Sequence, residues 1–114
     1  MHTLIVINDP PYGTERLYNG LRLAHALIKH GSEVTVFLMG DAVVGGKAGQ
    51  QTPDGFYNVE RMLKRVINKG RVLLCGTCLD ARGLTDEELV DGAERSTMDE
   101  LAQTTEAADK VLIF

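Results

Sequence analysis

Cys75 and Cys78 are the only cysteines of the chain, and they fall together in Leu73-Leu74-Cys75-Gly76-Thr77-Cys78-Leu79-Asp80-Ala81-Arg82-Gly83. A thiolate, not a thiol, attacks disulfides and sulfur donors, so the chemistry depends on what lowers the thiol pKa. Cys78 is placed to meet the exposed amides of a helical turn beginning at Thr77 to Leu79. Those amides and the helix dipole favour an anion. Arg82 lies four residues on and shares that face if the turn continues, within reach of a thiolate. Asp80 pulls the other way, but two residues on in a helix it points elsewhere. Gly76, Thr77 and Asp80 make the surroundings of Cys78 polar and loop-like. Cys75 finishes an apolar run and reads as buried, either as a small hydrophobe or as a resolving partner. Cys78 is therefore the candidate reactive sulfur.

Other uses of two closely spaced cysteines fit less well. Structural zinc takes four protein ligands, and the histidines His2, His25 and His30 lie at the amino end and on the first helix, so no metal is expected. A disulfide here would close a very small ring, which removes little unfolded-state entropy. Asp9-Pro10-Pro11-Tyr12 forms a rigid turn on the same side as the cysteines. Asp9 and Tyr12 are candidate pocket residues, although Asp and Pro favour turns anywhere. Asp41 is placed similarly. Gly13-Thr14 lacks the glycine spacing of a dinucleotide or phosphate-binding loop, so no nucleotide or other cofactor is expected. His25 sits on a helix patterned for packing and reads as structural.

These residues need elements to position them. Thr3 to Asn8, Val34 to Met39 and Val72 to Leu74 are short apolar runs of the kind buried on both faces of a parallel sheet. Val111 to Phe114 is a fourth, and Gly92 to Arg95 is an ambiguous stretch with room for a very short strand. Between them, Thr14 can cap a helix from Glu15 to His30 with a stripe of Leu17, Leu21, Ala24 and Ile28, stopped by Gly31. Asn58 can cap a helix to Lys69 with Val59, Met62, Leu63, Val66 and Ile67 inward, stopped by Gly70. Thr85 with Glu88 resembles a capping box for a turn or two through Val90. Ser96 with Asp99 is a looser version, opening a helix to Ala107 with Met98, Leu101, Ala102 and Thr105 inward. Gly45 to Gly55 is a glycine-rich loop of the kind that covers sites.

Strands alternating with helices imply right-handed crossovers and a parallel sheet covered on both faces. The expected fold is a three-layer α/β/α domain spanning residues 1–114, with four or five strands and flavodoxin-like layering. Ligands bind beyond the carboxyl ends of such strands, here Asn8-Asp9, Gly40-Asp41 and Cys75 to Cys78. With 44% hydrophobic residues the chain can bury one core, and its net charge of −4 is spread without a basic block. That argues against a nucleic-acid surface. No run approaches a membrane span, and the amino end lacks a basic leader, so the expectation is a cytoplasmic protein without a membrane partner.

Asn8 to Arg16, the loop ending Thr52-Pro53-Asp54-Gly55, and Cys75 to Gly83 together resemble the DsrE/DsrF-like family, most of all its small YchN-type branch. The likeness runs over essentially the whole chain, and its most specific part is the cysteine segment. It implies a five-stranded parallel sheet between helical layers and ring-like or stacked homo-oligomers, trimers or hexamers. Sulfur-relay members of the family carry sulfur as a cysteine persulfide. By resemblance the sulfur-bearing cysteine matches Cys78, and sulfur donor and acceptor proteins would be its partners. An edge position for Val111 to Phe114 would leave apolar groups for another subunit to cover, whereas a place inside the sheet would not.

Three readings follow. The leading one is a sulfur carrier, or sulfurtransferase, in which Cys78 holds sulfane sulfur and Arg82 with local amides stabilises the thiolate. The second is a dithiol-disulfide oxidoreductase cycling Cys75 and Cys78. The third is a non-catalytic oligomeric binding module.

Overall fold

The computed structural model describes all 114 residues. Five strands alternate with helices: β1 (His2–Ile7), α1 (Arg16–Lys29), β2 (Glu33–Leu38), α2 (Val59–Lys69), β3 (Arg71–Cys75), α3 (Gly76–Ala81), β4 (Glu94–Ser96), α4 (Met98–Ala107) and β5 (Lys110–Ile113). Single 3₁₀ segments occupy Gly40–Gly46 and Asp86–Glu88. The sheet is parallel throughout, in the order β4-β3-β2-β1-β5. Ile5 lies opposite Val36 on one side and Leu112 on the other, while Cys75 ends its strand opposite Ser96.

That order explains the layering. The chain steps from β1 to β2 to β3 in one direction, so right-handed crossovers put α1 and α2 on one face, where they pack together. The connection from β4 to β5 runs back across the sheet and carries α4 over the opposite face. The three inner strands are apolar because both their faces are covered: Leu4, Ile5, Ile7, Val36, Phe37, Leu38, Leu73 and Leu74 are wholly inaccessible. Each such large side chain contributes about 1.5–3 kcal/mol on leaving water. The edges are thinner, and in β5 Val111 and Ile113 are exposed. No helix is long and apolar enough to cross a membrane.

Several local expectations hold. Asn58 caps α2 by accepting from the Arg61 N–H at 3.1 Å, and Gly31 leaves α1 with φ +90°. Thr85 and Glu88 form their capping box, although only one 3₁₀ turn follows. The ambiguous segment does hold a strand, Glu94–Ser96, making the fifth.

Others are corrected. Glu15, not Thr14, precedes the first turn of α1; the Thr14 hydroxyl donates to Asp9 at 2.9 Å and accepts from the Arg16 N–H only at 3.4 Å. Ser96 belongs to β4, so Thr97 caps α4 by accepting from the Glu100 N–H at 3.1 Å. Met98, Ala102 and Thr105 consequently face solvent, and of the expected inner face only Leu101 is half-buried. The segment Gly45 to Gly55 starts inside the Gly40–Gly46 turn, with Gly45 and Gly46 buried. Its remainder is fastened: the Gly49 and Gln50 amides each donate to Glu60 at 2.9 Å, and the Gln50 side chain donates to the Gly45 and Lys47 carbonyls.

Candidate functional site

Strand β3 delivers Cys75 to the carboxyl edge of the sheet, and α3 begins at the next residue. Cys75 is 5% exposed and packs into the core, while Cys78 on the first turn of α3 is half-buried; both are free thiols. Gly76 is required between them by close approach. A Cβ there would come within 2.8 Å of Arg95 Nη1 and 3.1 Å of the Ser96 carbonyl. Arg95 in turn donates to the Gly76 carbonyl and to Asp80 and Asp86, tying β4 to α3. Asp80 is thereby held away from the Cys78 sulfur. Thr77 stands exposed beside it.

The neighbouring strand supplies what faces the sulfur. Two residues beyond β2, the Gly40 backbone N–H donates to Cys78 Sγ at 3.2 Å. Gly40 has φ +57°, a left-handed conformation that side chains resist, and this turn aims its amide across the edge. Asp41 follows immediately. Its Oδ1 receives Arg82 Nε at 3.0 Å and Arg82 Nη2 at 2.7 Å, and Arg82 Nη1 donates to the Cys78 carbonyl at 3.0 Å. Gly40, Asp41, Cys78 and Arg82 therefore form one cluster linking the ends of β2 and α3.

Two sequence expectations about this cluster are corrected. Arg82 does not pair with the sulfur of Cys78; its donors are taken by Asp41 and the backbone. Nor is the Cys78 thiol depressed. Burial pushes its pKa up, and the adjacent Cys75 thiol adds to this, outweighing the Gly40 amide and the more distant Arg82 charge. The donor that sequence reasoning missed is Gly40. Its signal was present, a glycine closing β2 at the sheet edge where ligands gather.

Asp9 and Tyr12 are engaged elsewhere. Asp9 accepts from Thr14 and meets Arg16 at 3.7 Å, closing the loop between β1 and α1. Tyr12, at φ +68°, uses its hydroxyl to donate to Gln50 and to accept from the Val59 N–H at 2.9 Å. Neither hydrogen-bonds with Gly40, Asp41, Cys78 or Arg82, so both serve as loop anchors. His2 meets Thr35 at 2.9 Å and His25 meets the Met62 carbonyl at 2.9 Å, away from the sulfurs. A depression of about 550 Å³ lined by His2, Glu33 and Arg71 lies at the opposite, amino edge of the strands.

Comparison with known proteins agrees with this architecture. The chain is 47% identical to protein YchN of Escherichia coli (strain K12) over 114 residues, covering 97% of each chain. It is 40% identical to the uncharacterized protein MK0008 of Methanopyrus kandleri over 111 residues, covering 96% of this chain and 91% of that one. The crystal structure of the ychN protein from E. coli superposes with a TM-score of 0.95 at 45% identity, covering 100% of this chain and 99% of that one. The family model of the DsrE/DsrF-like family matches residues 1–114. Sequence and fold agree, and the chain belongs to the DsrE/DsrF-like family.

Proposed function

We propose that this protein carries sulfane sulfur as a persulfide on Cys78 and passes it to an acceptor thiol. The observation that carries the reading is the Gly40 amide donating to Cys78 Sγ at the carboxyl edge of a parallel sheet. A backbone N–H aimed at sulfur favours the anionic form, and it favours a terminal persulfide anion in the same way. Family membership is compatible with a sulfur-related role.

The chemistry is a pair of redox-neutral displacements. The Cys78 thiolate attacks the outer sulfur of a donor persulfide, a new S–S bond forms, and the donor's S–S bond breaks as its thiolate leaves with the electron pair. An acceptor thiolate then attacks the outer sulfur on Cys78 and regenerates the Cys78 thiolate. Because burial pushes the Cys78 pKa up, the attacking thiolate forms by loss of its proton to solvent, and the donor thiolate released by the attack takes up a proton afterwards. Arg82 and Asp41 act by position, fixing the ends of α3 and β2 so that amide and sulfur stay aligned. No metal or cofactor enters this scheme.

Mass spectrometry after incubation with a sulfane-sulfur donor tests it. A gain of one sulfur atom is expected on the chain, abolished by Cys78→Ser and largely retained in Cys75→Ser. The placement of Cys75 and Cys78 at one strand-to-helix junction favours a second reading, a dithiol-disulfide oxidoreductase, for which either substitution would abolish turnover. The burial of Cys75, only 5% exposed, weighs against it, since in a strand-to-helix pair of this kind the first cysteine is normally the sulfur open to attack. Labelling no greater than that of any exposed thiol would instead mark a binding module. We further read the exposed edge of β5 as the place where a second copy of the chain docks to form the homo-oligomer.

A further inference from the structure

We propose that the groove between α1 and α2 binds a nucleoside phosphate, its base against Phe56 and its phosphates at Arg61 and Arg65. The groove is open to solvent and offers about 430 Å³, a volume within the roughly 300–1,000 Å³ typical of small-molecule sites. Arg22, Arg61 and Arg65 line it with the rings of Tyr18, Phe56 and Tyr57, and no Asp or Glu does. In a chain with a net charge of −4 this local excess of cations runs against the overall balance.

The arginines are free to bind. Arg61 and Arg65 take part in none of the ion pairs of the chain. They sit four residues apart on α2, a spacing at which like charges repel along the helix, and an anion between them relieves that repulsion. Nearby carboxylates do not supply it. Glu60 is occupied by the Gly49 and Gln50 amides and by Lys64, and Glu15 lines the adjoining depression, which shares Phe56 and Tyr57 with the groove but holds none of its arginines. Guanidinium groups match phosphate oxygens bidentately. A smaller hollow of about 210 Å³ shares Arg65 and His25 with the groove and adds Lys69, continuing the basic lining for a second phosphate.

The rings divide the work. Tyr57 is stacked between Tyr12, with centroids 5.2 Å apart, and Tyr18, at 4.2 Å. Arg22 lies 5.3 Å over the Tyr18 ring and bonds Asn19 at 3.1 Å, which fixes that wall in place. Phe56, by contrast, is 70% exposed at the end of the Gly55 turn and stacks on nothing. An unstacked ring beside arginines suits a planar base, for which aromatic stacking is sequence-tolerant. The site is distinct from the Gly13-Thr14 turn.

Calorimetric titration of the whole chain with ADP, inorganic pyrophosphate and a hexaglutamate peptide tests the assignment. Saturable ADP binding is expected, weakened about tenfold or more in the Arg61→Gln/Arg65→Gln double variant. Phe56→Ala should weaken ADP about fivefold or more while leaving pyrophosphate unchanged. All three side chains are exposed, so both variants should keep the wild-type circular dichroism. Absence of saturable ADP binding in the millimolar range overturns the proposal. So does pyrophosphate or hexaglutamate binding as tightly as ADP with Phe56→Ala having no effect, which would mark a surface for bare anions or acidic segments.

Discussion

The amide of Gly40 and the sulfur of Cys78 meet across 3.2 Å, joined from two different strand ends. Gly40 can present that amide only because its φ is +57°. Replacement by Ala imposes a left-handed conformation on a β-carbon at a cost of about 1–2 kcal/mol. Gly40→Ala should therefore melt a few degrees lower and accept sulfur more slowly at neutral pH, with part of the rate recovered at alkaline pH. Stopped-flow loading beside a thermal melt separates the two effects. Wild-type loading in a destabilised Gly40→Ala chain would show that the amide plays no part.

Burial raises the Cys78 thiol, and Cys75 raises it further. A thiol whose folded pKa lies above its unfolded value adds stability that is complete below the unfolded value. That stability is lost as pH rises through the folded one. The protein should accordingly weaken on the alkaline side of the ordinary thiol range, and Cys78→Ser should remove that component. Iodoacetamide alkylation of Cys78 should show a pH midpoint above that of a free thiol, moving down in Cys75→Ala because one of its causes is gone. A midpoint below the ordinary thiol range would contradict the assignment.

Arg82 reaches Asp41 at 2.7 Å, but Asp41 is 63% exposed, so water screens the pair and its worth to stability is about 1 kcal/mol or less. The positive charge nevertheless lowers the Cys78 pKa, although it is the smallest of the causes. Arg82→Gln should thus leave the melting temperature nearly unchanged while shifting the alkylation midpoint slightly upward. A large drop in melting temperature with an unmoved midpoint would make Arg82 a purely structural brace.

Sequence patterns disclosed the parts of this molecule that repeat locally. Apolar β-branched runs marked the inner strands because they are covered on both faces, and Asn58 and Gly31 carried their own capping chemistry. Long-range choices were not legible. Nothing in Thr14 itself says that Asp9 will take its hydroxyl, and nothing in Arg82 says that Asp41 will take its guanidinium. Gly70 read correctly as the end of α2, but for another reason. Its φ is −142°, and a Cβ there would collide with the Val34 carbonyl of the neighbouring strand. The basic groove between α1 and α2 was equally hidden, because Arg22 and Arg61 are far apart in the chain and meet only when the helices pack.

Glu60 holds the loop that precedes α2. The Gln50 and Gly49 amides, with Lys64, keep its carboxyl below the usual carboxylate range, and its side chain is only 14% exposed. A depressed carboxylate contributes stability that is complete above its unfolded pKa and lost as pH falls through the folded one. Acidification should therefore release the loop, seen as faster hydrogen exchange at the Gly49 and Gln50 amides. Glu60→Gln should show the same exchange at neutral pH and lose about 1–3 kcal/mol. Amides that stay protected in Glu60→Gln would mean that other contacts fasten the loop.

Strand β5 pairs with β1 on one side only, and Ile113 is 72% exposed with Val111 beside it at 37%. An open strand edge with apolar side chains is a template for another chain unless something blunts it. If a second copy covers it, each buried Ile113 adds about 1.5–3 kcal/mol to assembly. Ile113→Lys would replace that gain with a buried charge at the contact, and tenfold or greater weakening follows from the lower end of that range. Light scattering across a dilution series should show a smaller species for Ile113→Lys than for the wild type. Its far-ultraviolet circular dichroism should not change, because the side chain already faces solvent within one protomer. A wild-type chain that remains a monomer at high concentration would leave this edge without a partner copy.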